Sequence, residues 1–442
     1  MATVSDQAAS VNDGPATPTD RRGLIAWCVF DWANSPYPTV IVTFVFAAYF
    51  AKGIAPDETT GQELWGMAMS ASGLALALLA PLVGAIADRG GRRKPWLAAL
   101  SVLAVLAGAA LWFLVPDAGM LVPALILAGL GNLAFEFVSV FYNAMLPDLV
   151  PKERLGRVSG WGWGLGYAGG LACLAVALVV FVQPETPPFG LDKTQAEDVR
   201  ILGPLVAVWF ALFAIPLFLF TPDRNGTGVP LGRAAREGFA ALVGTFRQVR
   251  RYRNILHFLV ARMIYIDGLN TLFALGGIYA AGAFDMSLEE VLLFGVLINV
   301  TAGIGAFGFA WIDDWIGPKR TVLICIVALA ALCVAILVIE SKDMFYVLAM
   351  LIGVFMGPIQ SASRSLMAHM APAAMRTEMF GLFALSGKVT SFVGPALVAV
   401  VTAATDSQRL GMAVIVVLFA VGGLLMLGVR EPERTAPAVA IP

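Results

Sequence analysis

Asp31, Glu136, Arg262, Asp267, Arg364 and Lys388 each interrupt a long apolar run of the chain. A charged side chain at mid-bilayer costs about 2.5–3.5 kcal/mol on insertion scales, so each needs a counter-charge, a proton or a polar ligand. Such groups bind and exchange. A carboxylate can hold an ammonium group or a proton, and a lysine or arginine can hold a carboxylate. Metal chemistry is not expected, and neither is a cofactor. The histidines are His257 and His369, and Cys28, Cys173, Cys325 and Cys333 all fall inside apolar runs, where buried apolar thiols are favoured over a disulfide or a zinc set. No H-E-x-x-H, G-x-S-x-G or G-x-G-D is present, so no enzyme is expected.

Spacing groups these residues. Asp31, Asn34 and Ser35 lie at i, i+3 and i+4, on one helical face, with Tyr37 beyond them. Pro36 and Pro38 then break the hydrogen-bond ladder and free the carbonyls of Trp32 and Asn34. A binding site and a conformational hinge both fit that pattern. Asn132, Glu136, Ser139 and Asn143 recur at i, i+4, i+7 and i+11 as a polar stripe. Glu136, near mid-depth, is the candidate for binding and releasing a proton, with a structural ion pair as the alternative. Arg262 and Asp267 are five residues apart, ~140° around a helix, and should face different neighbours. Asn270 follows on the Asp267 helix, and Ser391 stands one turn after Lys388. Lys388 must meet Glu136, Asp31, Asp267 or an anionic ligand. For Arg364, near the end of its run, snorkelling to water and contact with the solute both fit, with snorkelling favoured.

Lipid-crossing helices must carry these groups. The chain has 442 residues, 59% hydrophobic and 13% charged, roughly half the charge of a soluble domain. Twelve apolar runs approach the roughly 20 residues that span a bilayer: about 24–50, 64–87, 96–115, 121–146, 157–182, 203–220, 255–280, 289–312, 320–339, 344–369, 378–402 and 409–428. None alternates in the manner of a barrel strand. An N-terminus in the cytoplasm puts Arg21, Arg22, the cluster 89–94, Lys152, Arg154, Arg157, the cations of 224–253, Lys319, Arg320, Arg376, Arg430 and Arg434 inside. Only Lys52, Lys193, Arg200, Lys342 and Arg409 remain outside. That bias predicts both termini cytoplasmic, in a bacterial inner membrane. No cleavable signal peptide is expected.

The expected organisation is a disordered tail (1–20), a six-helix half (21–220), a linker (221–254), a second six-helix half (255–430) and a short tail (431–442). In the linker, Arg233, Arg236, Arg247, Arg250, Arg251 and Arg253 surround Phe239, Leu242, Val243, Phe246 and Val249 at helical spacing. An amphipathic helix on the membrane surface and a solvated linker helix both fit.

The halves repeat. Asp88-Arg89-Gly90-Gly91-Arg92-Arg93-Lys94 after the second run parallels Asp313-Asp314-Trp315-Ile316-Gly317-Pro318-Lys319-Arg320 after the eighth. Asp31, Asn34 and Ser35 parallel Asp267, Asn270 and Thr271. At an offset of 221, Pro151, Gly160 and Gly166 fall on Pro372, Gly381 and Gly387. A duplicated six-helix unit with both copies in the same sense explains all three. Gly160, Gly162, Gly164, Gly166 and Gly170 should admit a neighbouring helix.

Residues 84–94 resemble the signature loop between the second and third helices of the major facilitator superfamily. There the aspartate and arginines link helix ends in the outward-open state and release on switching. The resemblance implies a gating role for Asp88, Arg89, Arg92 and Arg93 and, through the repeat, for Asp313. Residues 27–37, 142–148, 159–167 and 384–388, with Thr390 and Ser391, resemble the branch containing the fungal autophagy-related vacuolar effluxers and their bacterial relatives. That branch implies amino-acid cargo and export. The expected fold is therefore an all-α membrane protein with twelve transmembrane helices in two six-helix halves, the major facilitator fold.

The leading expectation is a secondary transporter of a small polar solute, working by alternating access. A zwitterion would use Asp31 or Glu136 for its amine and Lys388 or Arg262 for its carboxylate, with protons as a coupling partner. Efflux of hydrophobic compounds would require an apolar cavity with one carboxylate. Sugar transport would require more amides and aromatics. A non-transporting scaffold or receptor would be favoured by an exposed domain, and the sequence has none. No basic domain leaves the membrane, so nucleic acid is excluded. A monomer with membrane lipids as partners is expected.

Overall fold

A computed structural model of the protein describes residues 20–247 and 252–431. The expected tail 1–20 up to residue 19, the linker residues Val249, Arg250 and Arg251, and Arg434 lie outside them. Twelve helices among the described residues are long and apolar enough to cross a membrane. Spans 1 to 6 are Arg21–Ile54, Glu58–Gly90, Lys94–Phe113, Ala118–Leu149, Lys152–Val182 and Glu197–Phe220. Spans 7 to 12 are Arg253–Phe284, Glu289–Ile316, Pro318–Val338, Lys342–Met370, Ala373–Thr405 and Gln408–Leu427. An even number of crossings brings Asp20 and Glu431 to one face, the terminal face.

Span 1 is distorted where Pro36 and Pro38 predict it. An α-helix ends at Asn34, and wider π-helical turns follow over Tyr37–Phe44 and Phe50–Ile54. The freed Trp32 carbonyl accepts from the Trp209 indole of span 6 at 3.4 Å, a long contact. Span 11 carries a second break, just ahead of Gly394 and Pro395, where the proline leaves the Ser391 carbonyl without its helical N–H. Its first half-helix is Arg376–Lys388 and its second is Val393–Thr405.

The halves meet most broadly along two pairs, span 5 with span 8 and span 2 with span 11. Small residues bring these pairs together. A methyl group on Gly160 would stand 2.6 Å from Ala310 Cβ, and one on Gly381 would stand 2.5 Å from the Ala80 carbonyl oxygen. Gly160 and Gly381 are the repeat-related glycines, so the duplication is realised as two equivalent close crossings.

The linker helix, Leu231–Arg247, lies along span 2. Its contact face is small: Ala234 and Gly238 are buried, whereas Leu231 and Phe239 are 67% and 59% exposed. Arg233 donates to Glu237 at 2.7 Å one turn on. That bond holds the Glu237 carboxyl below the usual carboxylate range, and an exposed pair of this kind contributes little stability.

Candidate functional site

The span 4 stripe is built as its period predicts, and each member reaches a different helix. Asn132 Nδ2 donates to Ser72 Oγ of span 2 at 2.6 Å. Glu136 Oε1 accepts from Lys388 Nζ of span 11 at 2.7 Å. Ser139 Oγ accepts from Asn34 Nδ2 of span 1 at 2.9 Å. Asn143 Oδ1 accepts from Arg364 of span 10 at 3.1 Å. Two of these contacts, at Lys388 and Arg364, cross between the halves.

Arg364 overturns its sequence expectation. It does not snorkel; it is 2% exposed. Its guanidinium donates to Asp31 Oδ2 at 2.9 Å, to Ser159 Oγ at 2.9 Å and to the Ser159 carbonyl at 2.7 Å. It lies 4.9 Å from the Trp27 ring centroid and 5.6 Å from that of Trp163. The run in which Arg364 stands ends nearby, but the other half covers that end and leaves the side chain 2% exposed. Gly162 makes room for the cluster, because a methyl there would stand 2.5 Å from Asp31 Oδ2. Asp31 is thus bound to Arg364 and keeps 17% of its side chain exposed.

The Glu136–Lys388 pair is different. Both side chains keep about a third of their surface open, 31% and 36%. A ligand could displace either partner.

Arg262 and Asp267 face different neighbours, as their angular separation requires. Arg262 donates to the Phe383 carbonyl and to Ser386 Oγ, each at 2.7 Å, and lies 3.5 Å over the Phe383 ring. Asp267 accepts from the Gly394 N–H at 3.0 Å, and Asn270 donates to the Gly387 carbonyl at 3.3 Å. All three grip span 11 around its break. The cation sits at the carbonyl end of one half-helix and the anion at the N–H end of the next, the favoured sign at each. Ser391 Oγ donates to the Lys388 carbonyl inside the break.

A cavity of about 510 Å³ lies between the halves. It reaches the face opposite the chain ends, where Val291, Leu337 and Phe345 stand within a turn of their span ends. Its walls are mostly apolar. Ser35, Asn299, Gln360 and Tyr167 supply polar groups, and Gln360 Nε2 donates to Tyr167 Oη at 3.0 Å. Trp163 both lines this cavity and covers Arg364. Of the sequence candidates only Ser35 lines it. Tyr37 is fully buried, stacked on Phe135 with its hydroxyl donated to the Ala128 carbonyl, so that hydroxyl is not offered to a solute.

The terminal face is closed by charge. Asp88 accepts from Thr377 Oγ1 at 2.7 Å and from the Glu378 N–H at 2.9 Å, capping the start of span 11. Asp314 accepts from the Arg157 N–H at 3.0 Å and so caps the start of span 5. The clamps are reciprocal, each half supplying the carboxylate for the other. Asp313, chosen from sequence, packs against Gly156 beside that cap. Buried Arg93 donates to Thr377 Oγ1 at 2.9 Å and to Asp148 Oδ2 at 2.5 Å. Arg224 and Arg376 also bind Asp148. Arg89 and Arg92 are exposed and form no ion pair among the described residues.

Sequence reading passed over Asp148, Arg224, Arg376 and Thr377. The signal was a lone carboxylate ending span 4 among many cations. Asp148→Asn leaves Arg93, Arg224 and Arg376 around a neutral amide and should loosen this closure. Amide exchange over 373–381 is expected to rise by about tenfold, ~1.4 kcal/mol, with exchange near Phe345 unchanged. Equal rates in both proteins would assign the closure elsewhere.

The family described as "Vacuole effluxer Atg22 like" matches residues 65–436. An uncharacterised MFS-type transporter of Bacillus subtilis, YxiO, is 28% identical over 415 residues, 93% of this chain and 95% of that protein. Autophagy-related protein 22 of Cryptococcus neoformans is 25% identical over 285 residues, 60% of this chain and 48% of the fungal protein. That match therefore spans about half of the fungal protein's length. Among solved structures, the human organic anion transporter MFSD10 superposes with a TM-score of 0.72 at 15% identity, covering 93% of this chain and all of its own. The proton:xylose symporter XylE gives 0.69 at 13%, covering 93% of this chain and 96% of that one. Such identities establish shared fold alone.

Proposed function

This chain belongs to the vacuole effluxer Atg22-like family of major facilitator transporters, and from that premise we propose that it carries a small zwitterionic solute of the amino-acid class by alternating access. The observation that carries this reading is the Glu136–Lys388 pair, which joins the halves at 2.7 Å while about a third open. A zwitterion matches it group for group: its amine replaces Lys388 on Glu136, and its carboxylate replaces Glu136 on Lys388. Binding then unfastens span 4 from span 11, so ligand affinity and the switch between states draw on the same free energy. The Asp31–Arg364 cluster stays fastened and acts as the pivot beneath the cavity.

With the chain ends in the cytoplasm, the cavity faces outward and the clamps at Asp88 and Asp314 hold the inner side shut. Efflux, named in the family description, supports export. The Bacillus relative supports residence in a bacterial plasma membrane. The exposed Leu231 and Phe239 of the linker helix fit contact with lipid at the inner surface.

A second reading, export of hydrophobic compounds, is favoured by the apolar walls of the cavity. Thermal stability of the purified protein separates the two. Zwitterions with apolar side chains should raise the melting temperature in proportion to ln(1 + [L]/Kd). Their methyl esters and the matching decarboxylated amines should not, and Lys388→Ala should lose the response. Stabilisation by the amines and esters but not by the zwitterions would favour the hydrophobic cargo.

A further inference from the structure

We propose that Asp267 is the residue that takes up and releases a proton during the transport cycle, and that the break in span 11 is the element that responds to it. The proposal deepens the transport reading and rests on it. Asp267 is 3% exposed. Its Oδ2 accepts the Gly394 N–H, but its Oδ1 has no hydrogen-bond partner, and no cation stands within ion-pair distance among the described residues. A buried, ionised carboxylate with an empty oxygen is costly, and binding a proton removes the cost.

Four ionisable groups on span 7 and on the packed spans 11 and 12 have other partners. Arg262, on the same span, is turned to the Phe383 carbonyl and ring. Lys388, on span 11, is bound to Glu136. Tyr265 shares a hydrogen bond with Ser363 of span 10. Span 12 meets this level with Ile415, Leu418 and Phe419, and its Arg409 reaches the Leu337 carbonyl instead. Glu136, the sequence candidate for coupling, is bound to the Lys388 ammonium at 2.7 Å.

The position gives the proton leverage. As a carboxylate, Asp267 caps the first turn of Val393–Thr405 and is stabilised by that helix end. Protonated, it loses the charge that makes the cap strong, and the hold of span 7 on the second half-helix slackens. Lys388 is the last residue before the break, so the slackening is felt at the pair that the cargo must open. Discontinuous helices in transporters place ion sites at such ends.

The test needs no cargo, so its failure would leave the transport reading standing. The full chain in liposomes is followed by infrared difference spectroscopy as the pH is lowered. Wild type and Glu136→Gln should both develop the high-frequency C=O stretch of a carboxylic acid that donates no strong hydrogen bond. Asp267→Asn, whose amide oxygen still accepts the Gly394 N–H, should lack it. Asp267→Glu should shift its frequency, which keeps the test open if the Asn variant fails to fold. Sodium in place of choline should leave the band unchanged. A band that persists in Asp267→Asn or is unmoved in Asp267→Glu would overturn the proposal. So would its absence from wild type or its removal by sodium.

Discussion

Arg364→Ala is expected to destabilise the folded protein by about 3–5 kcal/mol, the range for removing one partner of a buried ion pair. The guanidinium is 2% exposed and satisfies acceptors on three helices: Asp31 of span 1, Asn143 of span 4 and Ser159 of span 5. Its loss leaves Asp31 without its counter-charge and uncovers Trp27 and Trp163, while the Ser159 hydroxyl keeps its bond to the Ser361 carbonyl. Arg364→Lys should recover little, because a point charge on a flexible stem cannot reach Asp31 and both Ser159 oxygens together. Asp31→Asn should cost less, since the Asp31 side chain is 17% exposed and the amide oxygen still accepts. Denaturant unfolding in detergent measures all three. A change for Arg364→Ala below about 1 kcal/mol would mean that the cluster does not hold the halves together.

Lys388→Ala and Glu136→Gln should show the opposite signature. Their pair is about a third solvated, so losing it should change stability by no more than about 1 kcal/mol. Transport should fall about 100-fold in each, ~2.7 kcal/mol, because each charge is a recognition group for one end of the cargo. The double variant should be no worse than the worse single, since the two residues act as one unit. Proteoliposome flux beside unfolding curves measures the contrast. Additive losses would separate the two residues into independent roles. A stability loss matching that of Arg364→Ala would make the pair structural.

Much of the fold could be read from the chain because lipid imposes a severe rule. Every span must be apolar and helical, so runs and caps announce themselves. The polar stripe from Asn132 to Asn143 was readable for the same reason, as the helical period fixes one face. The partners of that face were not, because Ser72, Asn34, Arg364 and Lys388 come from four other helices. Arg364 was misplaced because depth was judged from the end of its own run, and the covering came from the other half. The break after Lys388 had a local signal that the sequence reading did not use, Gly394-Pro395, whose proline disrupts the turn before it. The contacts that Arg262, Asp267 and Asn270 of span 7 add around it were not legible, because they come from another helix. Tyr37 looked like a ligand group because its hydroxyl lay near Asp31 in sequence, yet π-helical turns begin at that residue and its hydroxyl lies on the Ala128 carbonyl. The reciprocal clamps were half legible: the repeat pointed to Asp88 and Asp313, whereas Asp148 and Asp314, which also bind across this face, were passed over.

The most direct measurement is solute counterflow into proteoliposomes preloaded with one unlabelled amino acid bearing an apolar side chain. Labelled forms of that zwitterion, of its methyl ester and of its decarboxylated amine are then offered outside. If cargo opens the Glu136–Lys388 pair by supplying both charges, only the zwitterion should accumulate, and Lys388→Ala should abolish the accumulation. Equal counterflow of ester and amine, or accumulation undiminished in Lys388→Ala, would contradict the exchange of charges at that pair.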